Sequence, residues 1–120
     1  MLTIQEVAEA SGLPLSQLNQ WTKDGHIPPT LYVQQQGKRF DYAPVVLAFA
    51  ELVIFLREYF GTNSRLPVQL AKAALPNVER LWHQGVPPET RIRIYVPGME
   101  VVVGAEFIEV AKEKLSAVAA

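Results

Sequence analysis

Cysteine is absent from the 120 residues. That excludes disulfides, thiolate chemistry and cysteine-bound zinc or iron–sulfur centres. Histidine is scarce: His26 and His83 lie far apart, and neither sits in the His-x-x-x-His or Glu-x-x-His spacing of a helical metal site. No metal or other cofactor is expected. Neither sign of charge predominates, with eleven Lys and Arg against twelve Asp and Glu, a formal net of −1, so no polybasic or acidic tail is present. Long apolar runs are lacking too. The most apolar stretch, residues 43–56, contains Glu51 and falls short of the ~20 residues of a membrane span. The start, MLTIQEVAEA, has no basic segment ahead of an apolar one, unlike a signal peptide. A cytoplasmic protein with no membrane partner is expected. No nucleophile–base pair, phosphate-cradling glycine loop or metal cluster is visible, so an enzyme is not expected. What is present is apolar: 49% of residues, enough to bury roughly two-thirds of the unfolded surface.

The expected fold class is mainly α (α+β). Thr3-Ile4-Gln5-Glu6 reads as a capping box opening a helix that Gly12 stops. After Gly12-Leu13-Pro14 a second helix is expected over about 15–24, with Leu18 and Trp21 facing inward and Gly25 ending it. Two short helices joined by a turn of three or four residues have helix-turn-helix dimensions. The consecutive prolines of His26-Ile27-Pro28-Pro29 exclude helix. Leu31-Tyr32-Val33 and Lys38-Arg39-Phe40, on either side of Gln34-Gln35-Gln36-Gly37, read as a small hairpin. Asp41 is then expected to cap a long helix over about 42–60, with Pro44 in its first turn. Val45, Phe49, Leu52, Leu56 and Phe60 line one face of that helix, yet Leu47 and Ile54 fall on the other side. A helix apolar nearly all round needs cover on more than one side, from the C-terminal half or a second subunit.

Beyond the 61–64 loop, a helix to about residue 75 is expected to break at Pro76, followed by a short one over 77–84. Past Val86-Pro87-Pro88-Glu89 the period changes to two: Ile92, Ile94 and Val96 alternate with Arg91, Arg93 and Tyr95. Pro97-Gly98 suits the centre of a type II turn, and Met99 to Val103 is the partner strand. In a last helix, over about 105–118, Phe107, Ile108, Ala111, Leu115 and Val118 form a stripe expected to dock on the hairpin, while Glu106, Glu109 and Glu113 form its solvent side. The chain divides into residues 1–60 and a helical plus hairpin-helix module, 61–120, a candidate oligomerisation or partner-binding element.

Residues 1–60 resemble the DNA-binding domain of the MerR family of winged helix-turn-helix regulators. The resemblance runs over Leu2-Thr3-Ile4-Gln5-Glu6-Val7-Ala8, Gly12-Leu13 and Leu18-x-x-Trp21-x-x-x-Gly25-x-Ile27-Pro28-Pro29. It resumes at Gly37-Lys38-Arg39-Phe40-Asp41. The same region is similar to phage terminase small subunits and excisionases. It differs from the MerR pattern at Pro14, Asn19 and Gln20, where that family usually has Ser, Arg and Tyr. The resemblance implies a second helix in the major groove and a hairpin wing on the phosphate backbone.

The expected DNA-binding residues are Ser16, Gln17, Asn19, Gln20 and Lys23 on the outer face of the second helix, with Lys38 and Arg39 on the wing. Asn and Gln can pair with an adenine edge, and the cations can meet phosphates. Trp21 reads as a core anchor, Trp82 as an aromatic packed on the hairpin, and Arg91, Arg93 and Tyr95 as a solvated strand face. The favoured expectation is a small dimeric transcriptional regulator that binds double-stranded DNA, a homo-oligomer through the 44–60 helix or the C-terminal module. A phage-type packaging or recombination accessory protein and a winged-helix protein-interaction module are the alternatives. Residues 1–60 carry four cations against six acids, a net of −2, so each subunit is expected to bind weakly and to act with others.

Overall fold

A computed structural model describes residues 1–119, apart from the side chains of Lys38 and Ala119. The chain is α+β, with short antiparallel sheets. Strand β1 (Leu2–Thr3) runs directly into α1 (Ile4–Ser11), and α2 (Leu15–Lys23) follows. The capping box forms: the Thr3 N–H donates to Glu6 Oε1 at 2.9 Å and the Glu6 N–H donates to Thr3 Oγ1 at 3.2 Å. Such a cap stabilises by about 1 kcal/mol. Gly12 ends α1 at φ +77°, in the left-handed region that costs glycine least. Pro14 stands at the N-cap of α2 and offers no side-chain bond.

The next pair, β2 (Tyr32–Gln34) and β3 (Phe40–Tyr42), forms the expected hairpin. Beyond that expectation, β1 adds to its other edge, with Leu2 opposite Tyr42 and Thr3 opposite Asp41, in the order β1-β3-β2. This corrects the reading of Asp41 as a helix cap and Tyr42 as helical. Proline disfavours the helical conformation in the residue before it, so Pro44 keeps Ala43 out of the helix. The Ala43 N–H donates instead to Leu31 C=O at 2.9 Å, and α3 runs from Val46 to Phe60.

Helix α4 (Leu66–Gln84) is continuous through Pro76, contrary to the expected break. Pro76 lies on the exposed side, and the buried face continues on both sides of it through Leu70, Ala74, Leu75, Val78 and Leu81. A mid-helix proline costs about 3 kcal/mol. Each large apolar side chain buried contributes about 1.5–3 kcal/mol, so two turns beyond the proline outweigh it.

Strands β4 (Arg91–Val96) and β5 (Met99–Gly104) pair in the expected register about Pro97-Gly98, with Gly98 at φ +81°. Helix α5 (Glu106–Ala119) packs on α3 and α1, while α4 covers β4. The expected docking of α5 on the hairpin is thus corrected: its stripe meets the apolar far side of α3 instead. That cover, with α4 and α1, buries Leu47 wholly and Ile54 partly, from within the same chain. Glu51 of α3 and Lys114 of α5 form an ion pair across this contact. Lys112 Nζ lies 5.4 Å from the Trp82 ring centre. Buried side chains of both halves form one continuous core. Among the described residues, no helix is long and apolar enough to cross a membrane.

Candidate nucleic-acid interface

Advancing 100° per residue, α2 sorts its side chains cleanly. Leu18, Trp21 and Thr22 are buried on the inner face. Ser16, Gln20 and Lys23 share the opposite, exposed face, with Asn19 and Gln17 half-buried on its two flanks. The Gln20 Nε2 donates to Asp24 Oδ1 at 2.8 Å, one turn on, which places a carboxylate at the end of the exposed stripe.

The two flanks differ. On one, Asn19 and Lys23 line an open cleft of about 410 Å³ with Tyr32 and Gln34 of β2 and Phe40 of β3. On the other, Gln17 turns toward α3. With its amide oxygen facing Arg57, it accepts from the two guanidinium Nη atoms at 2.9 and 3.2 Å. The same guanidinium lies 4.8 Å from the Trp21 ring centre. Gln17 was expected to point outward with the others; Arg57 holds it instead against the α2–α3 contact. Burial lowers the Arg57 pKa from its ordinary value, and a guanidinium nonetheless stays charged at neutral pH. Trp21 is buried, as a core anchor should be.

A hydrogen-bond chain links α2 to the hairpin. Thr22 Oγ1 lies 2.8 Å from Leu18 C=O and 2.7 Å from Tyr42 Oη. The threonine has one proton and the carbonyl can only accept. Thr22 therefore donates to Leu18, and Tyr42 donates to Thr22. Tyr42 is fully buried, and burial raises its pKa, partly opposed by the Thr22 bond. Tyr32, Phe40 and Tyr42 form one aromatic cluster, with ring centres 5.3, 6.1 and 6.4 Å apart and the Tyr32–Phe40 pair edge to face. Tyr32 and Phe40 floor the hairpin side of the cleft, with Tyr42 buried behind them.

The hairpin tip closes with the Gln35 N–H donating to Arg39 C=O at 2.6 Å. Arg39 is exposed, its Nε 3.9 Å from Asp41 Oδ1, a surface pair worth little that leaves the guanidinium available. The Lys38 side chain lies outside the described residues. A further cation arrives from the C-terminal half: Lys72 Nζ of α4 donates to Gly25 C=O at 3.0 Å, at the turn after α2. Lys72 carries no local signal, being 47 residues away in sequence. Tyr42 does: the Phe40-Asp41-Tyr42 alternation and the proline two residues on are strand-ending features.

Chemically, this surface has exposed amides and a hydroxyl on one helix, a hairpin beside it, and cations at Lys23, Arg39 and Lys72. It holds hydrogen-bond donors and acceptors for a polar edge and positive charge for anions. No family model matches the chain, and no curated protein matches it.

Proposed function

We propose that the chain binds double-stranded DNA as a MerR-like winged helix-turn-helix protein, with α2 as the recognition helix and the β2–β3 hairpin as the wing, and that it acts as a small transcriptional regulator. One observation carries the reading: the outer face of α2 is polar and exposed, and the hairpin stands beside it across an open cleft. A helix entering the major groove presents such a face to base edges. Gln20, Ser16 and Asn19 supply paired donors and acceptors for them. Lys23, Arg39 and Lys72 meet phosphates on either side, and these contacts position the helix rather than read sequence. Gln17, held by Arg57, braces α2 instead of reading a base.

Three phosphate contacts per subunit give a salt slope of about −3 in log K against log salt. Binding is then weak per subunit, and useful affinity takes more than one copy. Fluorescence anisotropy with a mixed-sequence duplex at low salt tests this. Binding is expected, and Lys23→Ala, Arg39→Ala and Lys72→Ala each flatten the slope by about 1. No binding at low salt, or slopes unchanged in all three variants, overturns the reading in favour of a protein-binding module.

A further inference from the structure

We propose that the cleft between α2 and the β2–β3 hairpin takes one unpaired nucleobase of DNA, laid on Tyr32 and Phe40 between the Asn19 and Gln34 amides, with Lys23 on the adjoining phosphate. Base capture rests on the reading of this surface as one that meets DNA, and extends it. Strand alternation builds the floor. Tyr32 and Gln34 of β2 stand opposite Tyr42 and Phe40 of β3, so all four side chains share one face of the hairpin. The bond from Tyr42 to Thr22 shows that this face turns toward α2. Tyr42 is buried, while Tyr32 and Phe40 stay half-buried and line the cleft of about 410 Å³, within the size range of small-ligand sites. Asn19 and Lys23, one turn apart on α2, line it from the other side.

The polar groups of the cleft are open to a ligand. Among the described residues, nothing hydrogen-bonds to the side-chain amides of Asn19 and Gln34, and no carboxylate pairs with Lys23. Lys23 is also the one charged side chain in the described lining. The acids nearest in sequence are engaged elsewhere. Asp24 accepts from Gln20. Asp41, out of phase with Phe40 and Tyr42, lies on the other face of the hairpin beside Arg39. An aromatic floor, two amides and one uncompensated cation match the parts of a nucleotide: ring surface for the base, donors and acceptors for its edge, charge for its phosphate.

Pairing decides which base can enter. In a duplex the faces of each base are covered by stacked neighbours, and only its edges reach the grooves. The exposed face of α2 serves those edges. The aromatic floor meets a base only once that base has left the stack, and leaving is cheapest for a base with no partner. Stacking accepts every base, and adenine adds an edge to which Asn or Gln can bond twice.

Fluorescence anisotropy at one low salt concentration compares a fully paired duplex, the same duplex with one unpaired adenine, and a single strand. The duplex with the unpaired adenine is expected to bind about tenfold tighter than its paired parent. Phe40→Leu keeps an apolar side chain and removes the ring, and should cut that preference to about twofold. Gln34 is exposed, so Gln34→Ala leaves the core alone; it should cut the preference about threefold. Circular dichroism confirms that each variant is folded. Equal affinity for the two duplexes overturns base capture and leaves duplex binding standing. Binding of the single strand and the unpaired adenine without binding of the paired duplex supports base capture and overturns the duplex reading. A preference that both variants leave unchanged stems from the flexibility of the interrupted duplex and overturns the cleft as its source. No binding to any of the three overturns both.

Discussion

The hydrogen bond between Tyr42 and Thr22 joins α2 to the hairpin, and its removal can be forecast atom by atom. In Thr22→Val the shape is kept, but the Tyr42 hydroxyl is left unpaired in a fully buried site. An orphaned buried donor costs about 1–3 kcal/mol; with the Leu18 bond also lost, about 2 kcal/mol of destabilisation is expected. In Tyr42→Phe the hydroxyl itself goes, while Thr22 keeps its bond to Leu18. A net loss of about 1 kcal/mol is expected. In the double variant nothing is left unpaired, so its cost should fall below the sum by about 1 kcal/mol. Urea unfolding at neutral pH measures all three. Additivity to within about 0.5 kcal/mol would refute the coupling. The same residue sets a pH response. Burial raises the folded-state pKa of Tyr42 above the ordinary value of about 10, so the unfolded chain releases this proton first. Stability from this group is intact below pH 10 and falls as pH rises beyond it. Wild type should lose stability there more steeply than Tyr42→Phe.

Further expectations concern other elements. Pro76→Ala restores an amide to the middle of α4 and should stabilise by about 2 kcal/mol, the helix gain less the entropy that proline removes from the unfolded chain; destabilisation in the same urea assay would contradict the view that α4 tolerates rather than needs the proline. Arg57→Ala removes both the Trp21 stacking and the Gln17 bonds, and should cost about 1–2 kcal/mol with a change in tryptophan emission. An unchanged emission spectrum would mean that the Arg57–Trp21 contact is not made in solution. For Gly12→Ala, held at φ +77°, a loss of about 1 kcal/mol is expected by thermal unfolding.

How far the fold was legible follows the range of the forces involved. The capping box at Thr3, the turns at Gly12 and Gly98 and the alternation from Arg91 to Val96 depend on neighbours a few residues away, and they stand where the local chemistry puts them. The pairing of Leu2 with Tyr42 is not local, and two residues of strand show no period. At Pro76 the local penalty is real but smaller than the burial on both sides of it. Helix α5 carries the stripe read from its sequence; which partner that stripe meets is set by the uncovered far side of α3. The site divides the same way. The exposed face of α2 is a matter of 100° steps from Leu18 and Trp21. The diversion of Gln17 by Arg57 and the arrival of Lys72 from α4 are long-range events with no signature in either neighbourhood.

Selection of bound sequences from a pool of random duplexes at low salt bears most directly on whether α2 reads DNA. Enrichment of a defined site is expected, with Gln20→Ala relaxing the preference at one base position while Lys72→Ala weakens all sequences alike. A pool that emerges as random as it entered, or a preference that Gln20→Ala leaves untouched, would contradict it.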